Sequence, residues 1–328
     1  MVTIKMVAER CGLSIAAVSR ALNNRSGISA ERAEYVRQVA REMGYQPNEA
    51  ARLLKTKCSN NIGILYHNLL THEFFSEVLE GIQLEAAENG YEITFLQNSG
   101  GLTYFEHCQR RQCAGVILVQ GPFNHDSVQP MKDSGMPLVF IEDMHPGYTV
   151  VRNDNVQAME DMVRYLHGMG HRRIALICGD PCQVTDQRIE GFRRGCQACG
   201  IEIPQGYLQA ANYRGVESSA EAVKRLLALP ERPTCIIFPD DICFLGGRDE
   251  LTHHGLRVPE DVSCAGFGGI RVVKLMRPRL TTYDQDASGI GRTAAREIIK
   301  AIENPKRYKP HAALVEGHIE PGDTVRPL

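Results

Sequence analysis

No apolar run in this sequence approaches the roughly 20 residues that a membrane-spanning helix requires. The first ten residues start directly on a folded motif, without the apolar core of a secretory signal. Internal repeats, coiled-coil heptads and low-complexity tracts are also missing, which argues against fibrous, solenoid and disordered architectures. The eleven cysteines are odd in number and scattered rather than set in a disulfide framework, a usage that suits a reducing cytoplasm. There is no phosphate-cradling GxxxxGK[ST] loop, no GxSxG elbow and no HExxH helix. No reaction and no cofactor are therefore expected.

What is present is ordinary globular composition distributed unevenly. The chain has 328 residues, 43% hydrophobic and 23% charged, enough for two or three domains. Residues 1–60 hold ten Lys and Arg against five Asp and Glu, and the remainder holds 27 against 34. A basic module of net +5 on an acidic body of net −7 fits a local phosphate-binding surface.

The basic end reads as three helices. Thr3 is a good N-cap, and Ile4, Val7, Ala8 and Cys11 follow at helical spacing. Gly12 breaks that helix, and Ser14 caps a second in which Val18 and Leu22 point inward with Ala17 and Ala21 on the flank. Ser29 starts a third, striped by Val36, Val39, Ala40 and Met43. Two short helices around a glycine turn form the unit that lays its second helix in a major groove. After Pro47, Ala50, Ala51, Leu53 and Leu54 outline a helical segment of under three turns, marginal in water by itself.

From Ile62 the pattern alternates strands and helices: strands Ile62–Tyr66, Glu92–Gln97, Gly115–Val119 and Leu138–Ile141, with a helix Phe74–Gly90. A second series begins near Asn153, with a helix to Gly170 and a strand Ile174–Cys178. Helices Arg188–Gly200 and Glu217–Leu229 follow, then strands Cys235–Phe238, Ser263–Phe267 and Leu280–Tyr283, and a helix Ile290–Ile302. Such alternation predicts an α/β body of mostly parallel sheets with helices on both faces.

TIKMVAERCGLSIAAVSRALNNRSGIS, then GYQPNEAARLLKTKCSNNIGIL, resembles the LacI/GalR family of bacterial transcription regulators. Further landmarks at GHRRIALICGDP, RIEGFRRG, GLRVPEDVSCAGF and PRLTTYDQ extend the resemblance through the whole chain. It implies an all-α helix-turn-helix headpiece (1–46), a hinge helix and linker (47–60), and an effector-binding, dimerising body (61–328) like the type I periplasmic binding proteins. The implied first lobe takes 61–151 and 284–311, and the second takes 152–283 and 312–328.

The same resemblance implies roles for named residues. Ile15, Ala16 and Arg20 face base edges, where Arg20 can grip a guanine with its planar fork. Thr3, Ser14, Ser19 and Asn23 complete the DNA-facing set, with phosphate contact and plain helix capping both open to the serines. Asn48, Ala51, Leu54 and Lys55 belong to the hinge, where Leu54 wedges into the minor groove of double-stranded operator DNA. In the cleft between lobes, Arg188 opens the RIEGF helix and holds a sugar or related small-molecule effector, flanked by Phe74, Tyr213, Asp240 and Asp241. The implied protein is a cytoplasmic, homodimeric repressor under allosteric control. Whether the effector induces or co-represses stays open.

The chain departs from the family pattern at Asp240, where Asn is usual, and at Gly268, where an aspartate often follows the aromatic. Cys196 and Cys199, with Cys178 and Cys182 upstream, could form a zinc site, but Phe192, Cys196 and Cys199 share the spacing of one buried helix face. No metal is expected there. A solute-binding protein, a sugar-modifying enzyme and a DNA-binding protein with an empty or protein-filled cleft are the competing readings.

Overall fold

A computed structural model describes residues 2–22, 27–45, 59–66, 72–96, 102–120, 125–142 and 145–328. The chain divides into two compact units, Met1–Ser59 and Asn60–Leu328.

In the first unit, helices α1 (Ile4–Cys11), α2 (Ile15–Leu22) and α3 (Ala30–Glu42) enclose a small core. Thr3 and Ser29 cap α1 and α3 through their side chains, and Gly12 ends α1 in the left-handed conformation that glycine adopts without strain. Val7, Ala8, Val18, Ala21, Ala33, Val36, Val39 and Ala40 form the core. One expectation is corrected here. Ala21 is fully buried and Leu22 only half so, because α2 turns its Val18–Ala21 edge to α3, where Arg37 also donates to the Ala21 carbonyl at 3.4 Å.

The second unit begins with β1 (Asn61–Tyr66), α4 (Glu73–Glu88), β2 (Glu92–Leu96), α5 (Tyr104–Arg110), β3 (Cys113–Gln120), α6 (His125–Asp133), β4 (Leu138–Ile141) and β5 (Thr149–Arg152). It continues with α7 (Asn155–Gly168), β6 (Ile174–Cys178), α8 (Gln183–Ala198), β7 (Leu208–Ala210), α9 (Val216–Leu227), β8 (Cys235–Ile237), α10 (Asp241–His253), β9 (Ser263–Gly268) and α11 (Arg271–Leu275). β10 (Thr281–Asp284), α12 (Ala287–Glu303), β11 (Ala312–Leu314) and β12 (His318–Glu320) complete it. Among the described residues these strands form two six-stranded sheets, ordered β11-β5-β4-β3-β1-β2 and β12-β10-β9-β8-β6-β7. Every pairing is parallel except β10 with β12. The sheets are apolar through their centres, as strands covered on both faces must be.

The expected end of the second lobe is wrong by one strand. Ala312–Leu314 pairs with Thr149–Arg152 in the first sheet, and only His318–Glu320 joins the second. The short run Ala-Ala-Leu carries no signal of which sheet edge it will meet. α12 packs on α4 through close glycine contacts: a Cβ on Gly81 would lie 2.1 Å from the Ser288 carbonyl oxygen, and one on Gly291 2.0 Å from that of Val78.

The chain therefore crosses between sheets three times, after β5, β10 and β11. One buried side chain ties the crossings together. Asn153 donates to the carbonyls of Gln285 (3.0 Å) and Val315 (2.8 Å), while its own side-chain oxygen accepts from the Gln285 amide at 2.8 Å. Its amide satisfies two backbone groups that would otherwise be buried without partners.

Candidate functional site

A cavity of about 550 Å³ lies between the two sheets of the body. Its walls come from segments just past the carboxyl ends of strands, where open parallel sheets present their binding crevices. Glu142 follows β4, Asp180 lies two residues past β6, Asp240 three past β8, and Gln285 follows β10. Phe74 and Phe75 stand in the first turn of α4, with ring centroids 5.2 Å apart.

Arg188 is the buried cation of this cleft, only 8% exposed. It lies in the second turn of α8 rather than opening it, because the helix already starts at Gln183. Its Nε donates to the Asn155 side-chain oxygen at 3.0 Å and its Nη1 to the Pro239 carbonyl at 2.9 Å. The guanidinium carbon sits 3.7 Å from the centre of the Phe267 ring, so the fork is clamped flat over an aromatic face. Two of its five N–H groups are thereby used, and the plane of the others is set in advance.

Tyr213 lies over Gly179, where an added Cβ would be 2.4 Å from the ring, and its hydroxyl pairs with Thr185 at 2.9 Å. Asp180 fixes that loop by accepting from the Asn212 amide (2.6 Å) and the Tyr213 backbone N–H (2.8 Å). Asp240 caps α10 by accepting from Cys243 N–H at 2.8 Å and also accepts from Arg214 N–H at 2.6 Å. Asp241 is buried, bound by the Thr282 hydroxyl (2.6 Å) and the Ile270 N–H (2.9 Å), and burial pushes its carboxyl up to about 6. Its neighbour Gly268 has φ +134°, and a Cβ there would stand 3.2 Å from the Asp241 carboxylate. A side chain at 268 would be strained and crowded, which gives a physical account of the glycine.

Two lobes meet across the cleft. Arg214 grips Glu73 with Nε at 3.1 Å and Nη2 at 3.4 Å. Nearby, Arg271 pairs with Glu80 and donates its backbone N–H to Glu77 at 3.0 Å. His72 lines the same cleft, and burial together with the Arg214 charge holds its imidazole down to about 4. Glu142 accepts from the Asn155 amide at 3.2 Å and from Asn153 N–H at 3.4 Å, and burial raises its carboxyl despite nearby Arg188.

The expected residues Phe74, Arg188, Tyr213, Asp240 and Asp241 thus line one cavity. Sequence reading missed His72, Glu73, Glu142, Asp180, Arg214 and Phe267 beside them. Glu142 and Asp180 could have been found from their place just past apolar strands. Nothing local signals the Glu73–Arg214 pair, whose partners are 141 residues apart.

In the headpiece, Ile15, Ala16 and Arg20 are exposed on α2 while Val18 faces the core. Ser14 caps the helix, its Oγ accepting from Ala17 N–H at 3.2 Å, and Thr3 accepts from Met6 N–H at 3.4 Å. Asn23, Asn48, Ala51, Leu54 and Lys55 lie outside the described residues. Cys196 is buried beside Phe192, and burial pushes its thiol up to about 12, while Cys199 ends α8. Among the described residues no three His, Cys, Asp or Glu side chains are grouped to hold a metal ion.

Residues 3–48 match the model for bacterial regulatory proteins of the lacI family, and residues 163–325 match that for a periplasmic binding protein-like domain. The chain is 31% identical over 299 residues to the HTH-type transcriptional repressor CytR of Escherichia coli K12, covering 89% of this chain and 87% of that protein. It is 29% identical over 312 residues to catabolite control protein A of Priestia megaterium, covering 91% and 92%. The crystal structure of the lac repressor dimer bound to operator and the anti-inducer ONPF has the same fold, with a TM-score of 0.76 over 99% of both chains at 23% identity. A helix-turn-helix headpiece joined to a two-lobed α/β body, matched along nearly nine-tenths of its length by CytR, places this chain in the lacI family of bacterial regulatory proteins.

Proposed function

We propose that the protein is a homodimeric transcriptional repressor that binds double-stranded operator DNA through its headpiece and senses a small molecule in the cleft. The observation that carries this reading is the joining, in one chain, of a lacI-family headpiece to a body with a cavity built around a clamped arginine. Arg20 reads a guanine edge with its fork, Ile15 and Ala16 supply apolar contact, and Thr3, Ser14, Ser19 and Asn23 meet phosphates. The hinge positions Asn48, Ala51, Leu54 and Lys55 enter the minor groove at the centre of a twofold-symmetric site.

Arg188 bonds the effector's oxygens through its remaining N–H groups, with Phe74 and Tyr213 against its faces and Asp240 and Asp241 shaping the wall. Because both lobes line the cavity, an occupant changes the relation between them. By linkage, effector and operator then alter each other's affinity by one common factor. The cleft binds without turnover, and the protein works in the cytoplasm beside its DNA. Among the described residues no helix is long and apolar enough to cross a membrane.

Selection of sheared genomic fragments by the purified protein tests the reading. A near-palindromic sequence should be enriched, and metabolite extract should change its affinity for the protein. Recovery of fragments with no shared motif would overturn it, and chemical conversion of an extract component by the protein would overturn the claim of binding alone.

A further inference from the structure

Away from the cleft, Cys108 and Cys113 stand at the two ends of the turn that leads from α5 into β3. Arg111 caps the helix, and Gln112 turns left-handed at φ +52°, its N–H donating to the Gln109 carbonyl at 3.1 Å. A cap of this kind brings the residue two past it back over the one three before it. Those residues are Cys113 and Cys108, and their side chains share a hydrogen bond.

The two thiols are unequally placed. Cys108 is fully buried in a cluster with Leu65, Leu96, Val116 and Met131, its sulfur 3.9 Å from that of Met131. Cys113 is half-buried and packs against the same cluster. Its sulfur also accepts from the Asn61 amide at 3.9 Å. The bond from Cys108 and the Arg111 charge hold the Cys113 thiol below its ordinary range, while that bond and burial push the Cys108 thiol up. Elsewhere burial raises the thiols of Cys178, Cys196, Cys235 and Cys243. A partly exposed, acidic thiol touching a buried, protonated one is the arrangement of an attacking and a resolving cysteine.

We infer that Cys113 and Cys108 form a peroxide-sensitive dithiol that closes reversibly to a disulfide. The Cys113 thiolate attacks one oxygen of hydrogen peroxide; the O–O bond breaks, hydroxide leaves with the electron pair, and Cys113 becomes a sulfenic acid. The Cys108 sulfur then attacks the Cys113 sulfur, the S–O bond breaks, and the departing hydroxyl takes the Cys108 proton and leaves as water. In sum two thiols lose two hydrogens and two electrons, and one peroxide becomes two waters. A dithiol reductant reverses the bridge by thiolate exchange. The bridged loop includes the Arg111 carbonyl, which accepts from Asn61, the first residue of β1, at 2.8 Å.

The test uses the full-length protein, reduced, freed of reductant and titrated with hydrogen peroxide at pH 7. After alkylation, trypsin and a glutamate-specific protease separate the two cysteines onto peptides 107–110 and 112–132. These should be recovered as a linked pair that dithiothreitol cleaves. Cys113 should escape alkylation at least about threefold faster than the exposed Cys182, because a tenfold gain in thiolate costs about threefold in nucleophilicity. In Cys108→Ser a cyclic diketone that traps sulfenic acid should label Cys113, whereas in Cys113→Ser the Cys108 thiol should stay reduced and unlabelled. Linkage of Cys113 to Cys58 or any cysteine other than Cys108, or oxidation no faster than that of Cys182, would overturn the inference and leave the pair a packing contact.

Discussion

Replacing Arg188 with methionine separates its two duties. The unbranched side chain still covers Phe267, but both hydrogen bonds, to Asn155 and to the Pro239 carbonyl, are lost. A bond from a charged donor is worth about 1.5–3 kcal/mol, and some loss is recovered by burying less charge, so the body should lose about 2–4 kcal/mol. For a body of this size each kcal/mol lowers the melting temperature by about 2–4 °C, giving a fall of roughly 5–15 °C. The headpiece belongs to a separate compact unit, so DNA affinity without effector should stay near wild type wherever the body remains folded. Melting curves and anisotropy titrations, with and without metabolite extract, read both quantities. Arg188→Lys restores charge without the planar fork and should recover stability more than response. An effector midpoint within about twofold of wild type in Arg188→Met would refute the assignment of Arg188 to the ligand, because one lost charged bond is worth more than tenfold.

Other perturbations follow from the same geometry. Gly179→Ala drives a methyl into the Tyr213 ring and should weaken the effector response more than it lowers the melting temperature; an unchanged midpoint would detach Tyr213 from the ligand. Gly291→Ala adds a better helix former yet should destabilise the body by more than about 2 kcal/mol in urea titrations, because its Cβ meets the Val78 carbonyl oxygen across the α4–α12 contact. The folded protein holds the His72 imidazole at about 4, below its ordinary 6.5. The neutral form is thus favoured by folding, and this contribution is complete above pH 6.5 and lost as pH falls through 4. Melts at pH 7 and pH 5 should therefore diverge less in His72→Gln than in wild type, by about 2 kcal/mol at pH 5. Arg20→Ala should relax preference at one base pair per half-site by about 1–3 kcal/mol, measured by binding to single-substitution operators; equal weakening on every sequence would make Arg20 a phosphate contact.

The sequence by itself determined the headpiece helices and most central strands of the body. Those elements rest on neighbours in the chain. Thr3, Ser14 and Ser29 satisfy N–H groups three residues on, Gly12 supplies the left-handed turn, and runs such as Leu138–Ile141 are apolar throughout. The five expected cleft residues came from the family resemblance rather than from a local signal, and the fold brings all five to one cavity. Weak local signals misled or stayed silent. Gln183–Gln187 lacks a capping side chain and an apolar stripe, so α8 was expected to start at Arg188, and the short strand Thr149–Arg152 was not expected at all.

Tertiary structure alone decided which sheet Ala312–Leu314 joins, whether Ala21 or Leu22 faces the core, and how Asn153 binds Gln285 and Val315. It also brought Glu73 to Arg214 and set the three cleft aspartates against amide and hydroxyl donors. A cap or an apolar run is satisfied within a few residues, so its physics is written locally. The buried amide of Asn153 and the interlobe ion pair join groups more than a hundred residues apart, and only the folded chain brings them within bonding distance.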